Sequence, residues 1–72
     1  MTNWLEVQPG LGRYTVELRP DEDGRVWLAQ VSEVPPCHTF GGSPAQALER
    51  VREALGLFVD DAGTAELVTL TS

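Results

Sequence analysis

Lysine is absent from this chain of 72 residues, and cysteine occurs once. Five arginines face eleven acidic residues, which gives a formal net charge of −6. Proteins that bind nucleic acid directly usually carry a basic stripe, which gains affinity by releasing counterions from phosphates. We therefore expect no direct nucleic-acid binding. An acidic surface suits a basic protein partner, although it also serves ordinary solubility.

The single cysteine, Cys37, excludes an intramolecular disulfide and argues against a structural metal site. No apolar run reaches the length of about 18 residues that a membrane span needs. The first residues, M-T-N-W-L-E, have neither a basic region nor an apolar run. We therefore predict a cytoplasmic protein without a membrane span. The length fits one domain over residues 1–72, and a hydrophobic fraction of 42% is enough for a core.

The first half of the chain predicts a β-hairpin. Residues 13–19 alternate between polar residues and three apolar ones on one face, Tyr14, Val16 and Leu18. A second apolar strand is predicted over residues 25–34. The acidic segment 21–24 between them ends in Gly24, which can take a positive φ, so we interpret it as a solvated turn. It lacks the alternating ligands of a calcium loop.

One helix is predicted from residue 44 to about residue 59. Ser43 can cap its first turn, Pro44 suits the first helical position, and Gln46 completes an S-x-x-Q capping box. We expect Gly63 to end the helix in a left-handed C-cap. Its apolar residues share one face, as expected of a helix lying on a sheet: Ala47, Leu48, Val51, Ala54, Leu55, Phe58 and Val59. Leu57 falls among the polar residues of the opposite face.

Short strands are predicted on both sides of this helix. Residues 37–41 follow the break at Pro35-Pro36, and residues 66–71 are expected to return to the sheet edge. Residues 1–12 form either an added edge strand or a tail that lays Trp4 on the core. The order strand-strand-strand-helix-strand predicts an α+β fold, with one helix packed on one face of a small antiparallel sheet.

With these features in place, the chain resembles the N-terminal, partner-binding domain of HicB-like antitoxins, from bacterial HicA–HicB type II toxin–antitoxin pairs. That family has a similar hairpin, then a motif close to V-P-x-L-P-G-C-x-T-x-G-x-T, then a helix beginning x-x-E-A. The matching residues are Val34-Pro35, Cys37, Thr39, Gly41, Ser43 and Gln46-Ala47. The resemblance covers about residues 14–58.

Two features depart from the family pattern. Pro36 stands where the family usually has Gly, and Gly42 stands where it often has Asp. Many family members also continue into a DNA-binding domain after the last strand; we expect none here, so operator binding is not carried over. The resemblance implies a module that covers a small basic RNase toxin of HicA type. A solitary or homodimeric scaffold of the same fold, with no toxin partner, is the alternative.

Catalysis and metal binding are not expected. Cys37 and His38 are neighbours on a predicted strand, so their side chains point to opposite faces and do not converge. No other His or Cys completes a metal site or a nucleophile–base pair. We interpret Cys37 as a small buried hydrophobe. A ligand-binding or catalytic role for His38, and anion binding at the glycines before Ser43, are the weaker hypotheses.

Large apolar side chains are the better candidates for a functional role, since aromatic anchors dominate protein interfaces. We predict four partner-binding residues: Trp4, Trp27, Phe40 and Leu57. For Trp27 the competing interpretation is packing in the core. No cofactor is expected. The predicted activity is therefore binding, either of a basic protein or of a second copy through an exposed edge strand.

Overall fold

The computed structural model describes residues 10–71. The five elements in chain order are β1 Arg13–Pro20, β2 Trp27–Val31, β3 His38–Gly41, α1 Pro44–Leu55 and β4 Glu66–Thr71. The strands form one sheet in the order β3-β2-β1-β4. The predicted α+β class and the predicted order of elements are confirmed.

The last strand corrects one part of that prediction, because the sheet is mixed rather than antiparallel. β1 pairs antiparallel with β2, and β2 antiparallel with β3. β4 instead runs parallel to β1, with Arg13 beside Glu66 and Leu18 beside Thr71. The helix carries the chain back after β3, and the connection after the helix turns it again. β4 therefore runs in the direction of β3, which is also the direction of β1.

The helix begins as predicted and ends earlier. Pro44 is the first helical residue, and the Ser43 hydroxyl accepts a hydrogen bond from the Gln46 backbone N–H at 3.1 Å. α1 ends at Leu55, and Gly56 (φ −61°) is its C-cap, so the predicted end near residue 59 was wrong. Tighter i to i−3 hydrogen bonds follow: Leu57 N–H to Ala54 O and Phe58 N–H to Leu55 O. Gly lowers helix propensity at this point.

Gly63 does not form the left-handed cap that the sequence predicted. In residues 10–71 the glycines with positive φ are Gly12 and Gly24. Gly63 lies in the connection between α1 and β4, well past the end of the helix. Gly24, at φ 70°, ends the acidic turn between β1 and β2 as predicted.

The core lies between the sheet and α1. We call the sheet face that α1 covers the inner face and the opposite one the outer face. The strands contribute Tyr14, Val16, Leu18, Ala29 and Val31, and the helix contributes Ala47, Val51 and Leu55. α1 packs chiefly on β3 and β2. Over β1, the core is completed by three residues of the α1–β4 connection, Val59, Ala62 and Ala65.

A buried tyrosine ties that connection to the start of β1. The Tyr14 hydroxyl donates to Asp61 Oδ1 at 2.9 Å and accepts from the Leu11 N–H at 2.9 Å. The other oxygen of Asp61 accepts from the Gly12 N–H at 2.7 Å. Burial raises the pKa of the Tyr14 phenol, and the bond to Asp61 raises it further, while the Leu11 N–H opposes the change.

Candidate protein-binding surface

The outer face of the sheet is a surface that residues 10–71 leave open. Among residues 10–71, no helix or strand covers it, since α1 lies on the inner face. Residues that face each other across neighbouring strands share a face. Leu28 of β2 therefore lies beside Phe40 of β3, and Gln30 lies beside His38, on the outer face. This face is apolar at one end of the two strands and polar at the other.

The apolar end forms an open depression of about 230 Å³, which we call the outer-face depression. Its lining residues come from β1, β2, β3 and the β1–β2 turn: Arg19, Pro20, Asp21, Val26, Leu28 and Phe40. Phe40 is 55% exposed and Val26 is 37% exposed. An uncovered aromatic ring beside aliphatic side chains, with one basic and one acidic residue among the lining residues, is typical of a protein-binding surface.

The four predicted partner-binding residues do not form one surface. Phe40 lies on the outer face, whereas Trp27 lies opposite Gly41 on the inner face and packs against the core. The core interpretation of Trp27 is thereby confirmed. Leu57 follows α1 on the other side of the sheet and is 77% exposed. Trp4 lies outside the described residues.

Cys37 and His38 are separated as the strand periodicity predicted. Cys37 is 1% exposed in the core, and its Sγ lies 3.9 Å from Val51 O. Burial raises the pKa of its thiol, so the nucleophilic thiolate is disfavoured. His38 is exposed, and its Nδ1 lies 3.1 Å from Pro36 O. Within residues 10–71, no three His, Cys, Asp or Glu side chains gather at one point as a metal site requires.

The other candidate loops are occupied by their own hydrogen bonds. Asp21 Oδ1 accepts from the Arg25 N–H at 3.0 Å and from the Val26 N–H at 3.3 Å, which fixes the acidic turn. Before α1, the Gly42 N–H donates to Gln46 Oε1 at 2.6 Å, and the Gln46 N–H is capped by Ser43. Two of the N–H groups that an anion would need therefore already have partners.

Three contributors to the surface were not identified from the sequence. Val26 and Leu28 had been assigned only to a strand, although the apolar run V-W-L-A departs from alternation and thus signals a strand that is apolar on both faces. Arg50 was placed only on the polar face of the helix. Its Nη1 donates to Phe40 O at 3.1 Å and so covers the outer edge of β3.

The fold and this surface define a small α+β domain with one sheet face left uncovered. The chain is 33% identical to a UPF0150 protein of Archaeoglobus fulgidus over 48 residues, which make up 67% of this chain and 68% of that relative. The chain belongs to the UPF0150 family. No family model and no solved structure matches it. No helix within residues 10–71 has the length and apolar character of a membrane span.

Proposed function

We propose that this protein is a binding module of HicB antitoxin type, which occludes a small basic RNase toxin through its outer sheet face. The observation that carries the proposal is the outer-face depression, where Phe40 stands 55% exposed. Interface hot spots are typically aromatic residues at the centre of such a patch. Phe40 is the anchor in this proposal, and Val26 and Leu28 surround it.

The motif that resembles HicB lies beside this depression. The motif residues Thr39 and Gly41 belong to β3, on either side of Phe40, and Ser43 and Gln46 start the helix that follows. Gly41 fits closely under that helix, since a Cβ there would meet the Ala47 backbone N and lie 2.8 Å from Ala47 Cα. The motif thus fixes β3 against α1 and holds Phe40 outward. Membership of the UPF0150 family supports the proposal, although that name states no activity.

Charge supports a basic partner. The protein carries a net charge of −6, and the turn that borders the depression contributes Asp21, Glu22 and Asp23 in succession. Opposite charges on two proteins speed their association and contribute to affinity. Salt weakens this attraction, and at physiological ionic strength exposed charges more than about 8 Å apart are largely screened. A complex with a basic toxin is therefore expected to weaken as salt rises.

Inhibition in this proposal needs no chemistry from the antitoxin itself. Cys37 is buried, and His38 is exposed with its Nδ1 3.1 Å from Pro36 O, so the two side chains favour a structural and a solvated role respectively. Occlusion requires only that the bound module block the access of RNA to the toxin. The same negative charge that attracts the toxin also repels RNA from the complex.

The experiment has two stages. The tagged full-length chain is incubated with native cell lysate at about 50 mM and at about 300 mM salt, and retained proteins are identified by mass spectrometry. A small basic protein that is retained at low salt and released at higher salt is then purified, and its RNase activity is titrated with the antitoxin. Activity that falls to zero near equimolar antitoxin supports the proposal. Failure to retain any such protein at low salt contradicts it.

Two matched variants locate the binding face. Phe40→Ala removes the proposed anchor, and a loss of about 2 kcal/mol, or roughly thirtyfold in Kd, is expected for a hot spot. Leu57→Ala removes an even more exposed apolar side chain from the other side of the sheet and is expected to leave Kd unchanged. If Leu57→Ala weakens binding and Phe40→Ala does not, the outer face is not the toxin site.

A further inference from the structure

β4 is an edge strand whose outer side is unpaired within residues 10–71, since the sheet order ends with it. The Glu66 N–H donates to Gly12 O at 3.0 Å, so the main-chain groups of Glu66 point toward β1. In a parallel pair, these groups point to alternate sides along a strand. Leu67, Thr69 and Thr71 therefore direct their N–H and C=O groups away from β1, toward the free edge.

β4 is also exposed on both faces after Leu67, which is half-buried against the core. Val68 and Leu70 lie on the outer face and are 36% and 52% exposed. On the inner face, Thr69 and Thr71 are exposed as well, because α1 packs on β3 and β2 and does not extend over β4. A strand with two open faces and an open edge leaves room for another strand beside it.

The two edges of the sheet differ in how they are protected. β3 is four residues long, and Arg50 covers the outward carbonyl of Phe40. β4 is six residues long, with no proline and no basic residue, and its one charged residue is Glu66 at its start. Proteins normally protect exposed sheet edges with proline, with charged residues (especially basic ones) or with short edge strands. Among residues 10–71, the edge without such protection is that of β4.

We propose that β4 pairs antiparallel with β4 of a second copy, about a twofold axis through Thr69, to form one continuous eight-stranded sheet. A twofold axis perpendicular to the sheet must pass through a residue that faces its own counterpart. With Thr69 on the axis, Leu67 faces Thr71 of the second copy. All three outward-pointing residues then form hydrogen-bonded pairs, and both helices lie on the same face.

Side chains and charge favour this register. Val68 faces Leu70 of the second copy on the outer face, so four aliphatic side chains meet across the seam. The Thr69 side chains pair on the inner face. The two Glu66 carboxylates stand six positions apart along the seam, about 20 Å, which exceeds the screening length. An axis through Val68 would place Glu66 opposite Leu70 and is disfavoured.

The dimer does not depend on the proposed toxin. Its two copies repel each other through a net charge of −6 each, so its association is expected to strengthen as salt rises. The toxin complex is expected to respond in the opposite direction. A failure of one proposal is therefore distinguishable from a failure of the other. The outer-face depression lies toward β3 and remains open in the dimer.

The first test is the mass of the full chain in solution. Sedimentation from about 10 to 500 µM is expected to give a dimer of the 7.9 kDa chain. Thr69→Pro removes an N–H that points to the free edge and not to β1, so it is expected to yield a monomer with an unchanged circular dichroism spectrum. A wild-type monomer throughout this range overturns the proposal. The proposal is also overturned if the full chain is monomeric and dimerises only after removal of residues 1–9, because those residues would then occupy the edge of β4.

The second test reads the register and does not rely on Thr69→Pro folding. Thr69→Cys places two thiols at a directly opposed pair with Cα atoms about 5.5 Å apart, within disulfide range. Thr71→Cys is the matched control on the same strand face, with its thiols about 14 Å apart along the seam. Under mild oxidation only Thr69→Cys is expected to form a covalent dimer. Equal cross-linking of both variants, or of neither, overturns the register.

Discussion

Removing one oxygen atom from the core tests how the α1–β4 connection is held. Tyr14→Phe keeps the ring, which is fully buried, and deletes a hydroxyl that bonds Asp61 Oδ1 and the Leu11 N–H at 2.9 Å each. A neutral hydrogen bond contributes about 1 kcal/mol and one to a charged group about 1.5–3 kcal/mol. We therefore expect a loss of roughly 2.5–4 kcal/mol in the free energy of unfolding.

The assay is urea unfolding followed by tryptophan fluorescence, with thermal unfolding as a second measurement. In a domain of this size each kcal/mol lowers Tm by about 4–8 °C, so a fall of roughly 10–30 °C is expected. Ser32→Ala, which removes an exposed hydroxyl, is the control and is expected to change little. A double-mutant cycle with Asp61→Ala isolates the coupling between the two side chains. A loss below about 0.5 kcal/mol would refute the reasoning.

The same residue predicts an alkaline limit. Burial raises the folded-state pKa of Tyr14 above the ordinary tyrosine value of 10.0. Its contribution to stability is therefore complete below pH 10 and is lost as pH rises through the folded-state pKa. Wild-type stability is expected to fall above pH 10, and Tyr14→Phe is expected to remove that fall. An identical alkaline profile in both proteins would show that Tyr14 does not control it.

Three other substitutions test the remaining structure by urea unfolding. Gly41→Ala drives a Cβ into the backbone at the start of α1 and is expected to lower the free energy of unfolding by about 2 kcal/mol or more. Gly63→Ala is the neutral control, because a Cβ at that position has no atom within 4 Å. Ser43→Ala removes the N-cap and is expected to cost about 1 kcal/mol; no loss would mean that water replaces the cap. Burial raises the pKa of Glu33, but hydrogen bonds from its own N–H and from the Thr15 backbone and hydroxyl lower it by more. Its stabilisation is thus present above pH 4.5 and lost as pH falls, so Glu33→Gln is expected to flatten the acid side of the stability profile; an unchanged acid side would contradict this account.

Local patterns in the chain were enough to predict most elements and their faces. The alternation in β1 placed Tyr14, Val16 and Leu18 in the core, where all three are buried. The sequence S-P-A-Q placed the helix start at the correct residue, because capping depends on groups within one turn. The separation of Cys37 from His38 followed in the same way from the two-residue period of a strand.

The helix end was not predicted because its apolar pattern continues past the helix. Phe58 and Val59 pack against the core, which the helical periodicity had suggested, but they do so from a turn after Gly56. Their side chains carry the same hydrophobic signal in either conformation. A pattern of burial therefore does not identify where the backbone leaves the helix.

The direction and place of β4 were decided only by the tertiary structure. The sequence E-L-V-T-L-T predicts a strand, but its partner β1 lies more than 40 residues earlier in the chain. Strand propensity depends on the packing around the strand and does not specify its partner or direction. The outer-face depression has the same origin, since Pro20, Val26 and Phe40 come from separate segments. Local sequence determined the elements and their buried faces, because those depend on near neighbours. The fold alone decided which strand became the open edge and which apolar side chains met on the uncovered face.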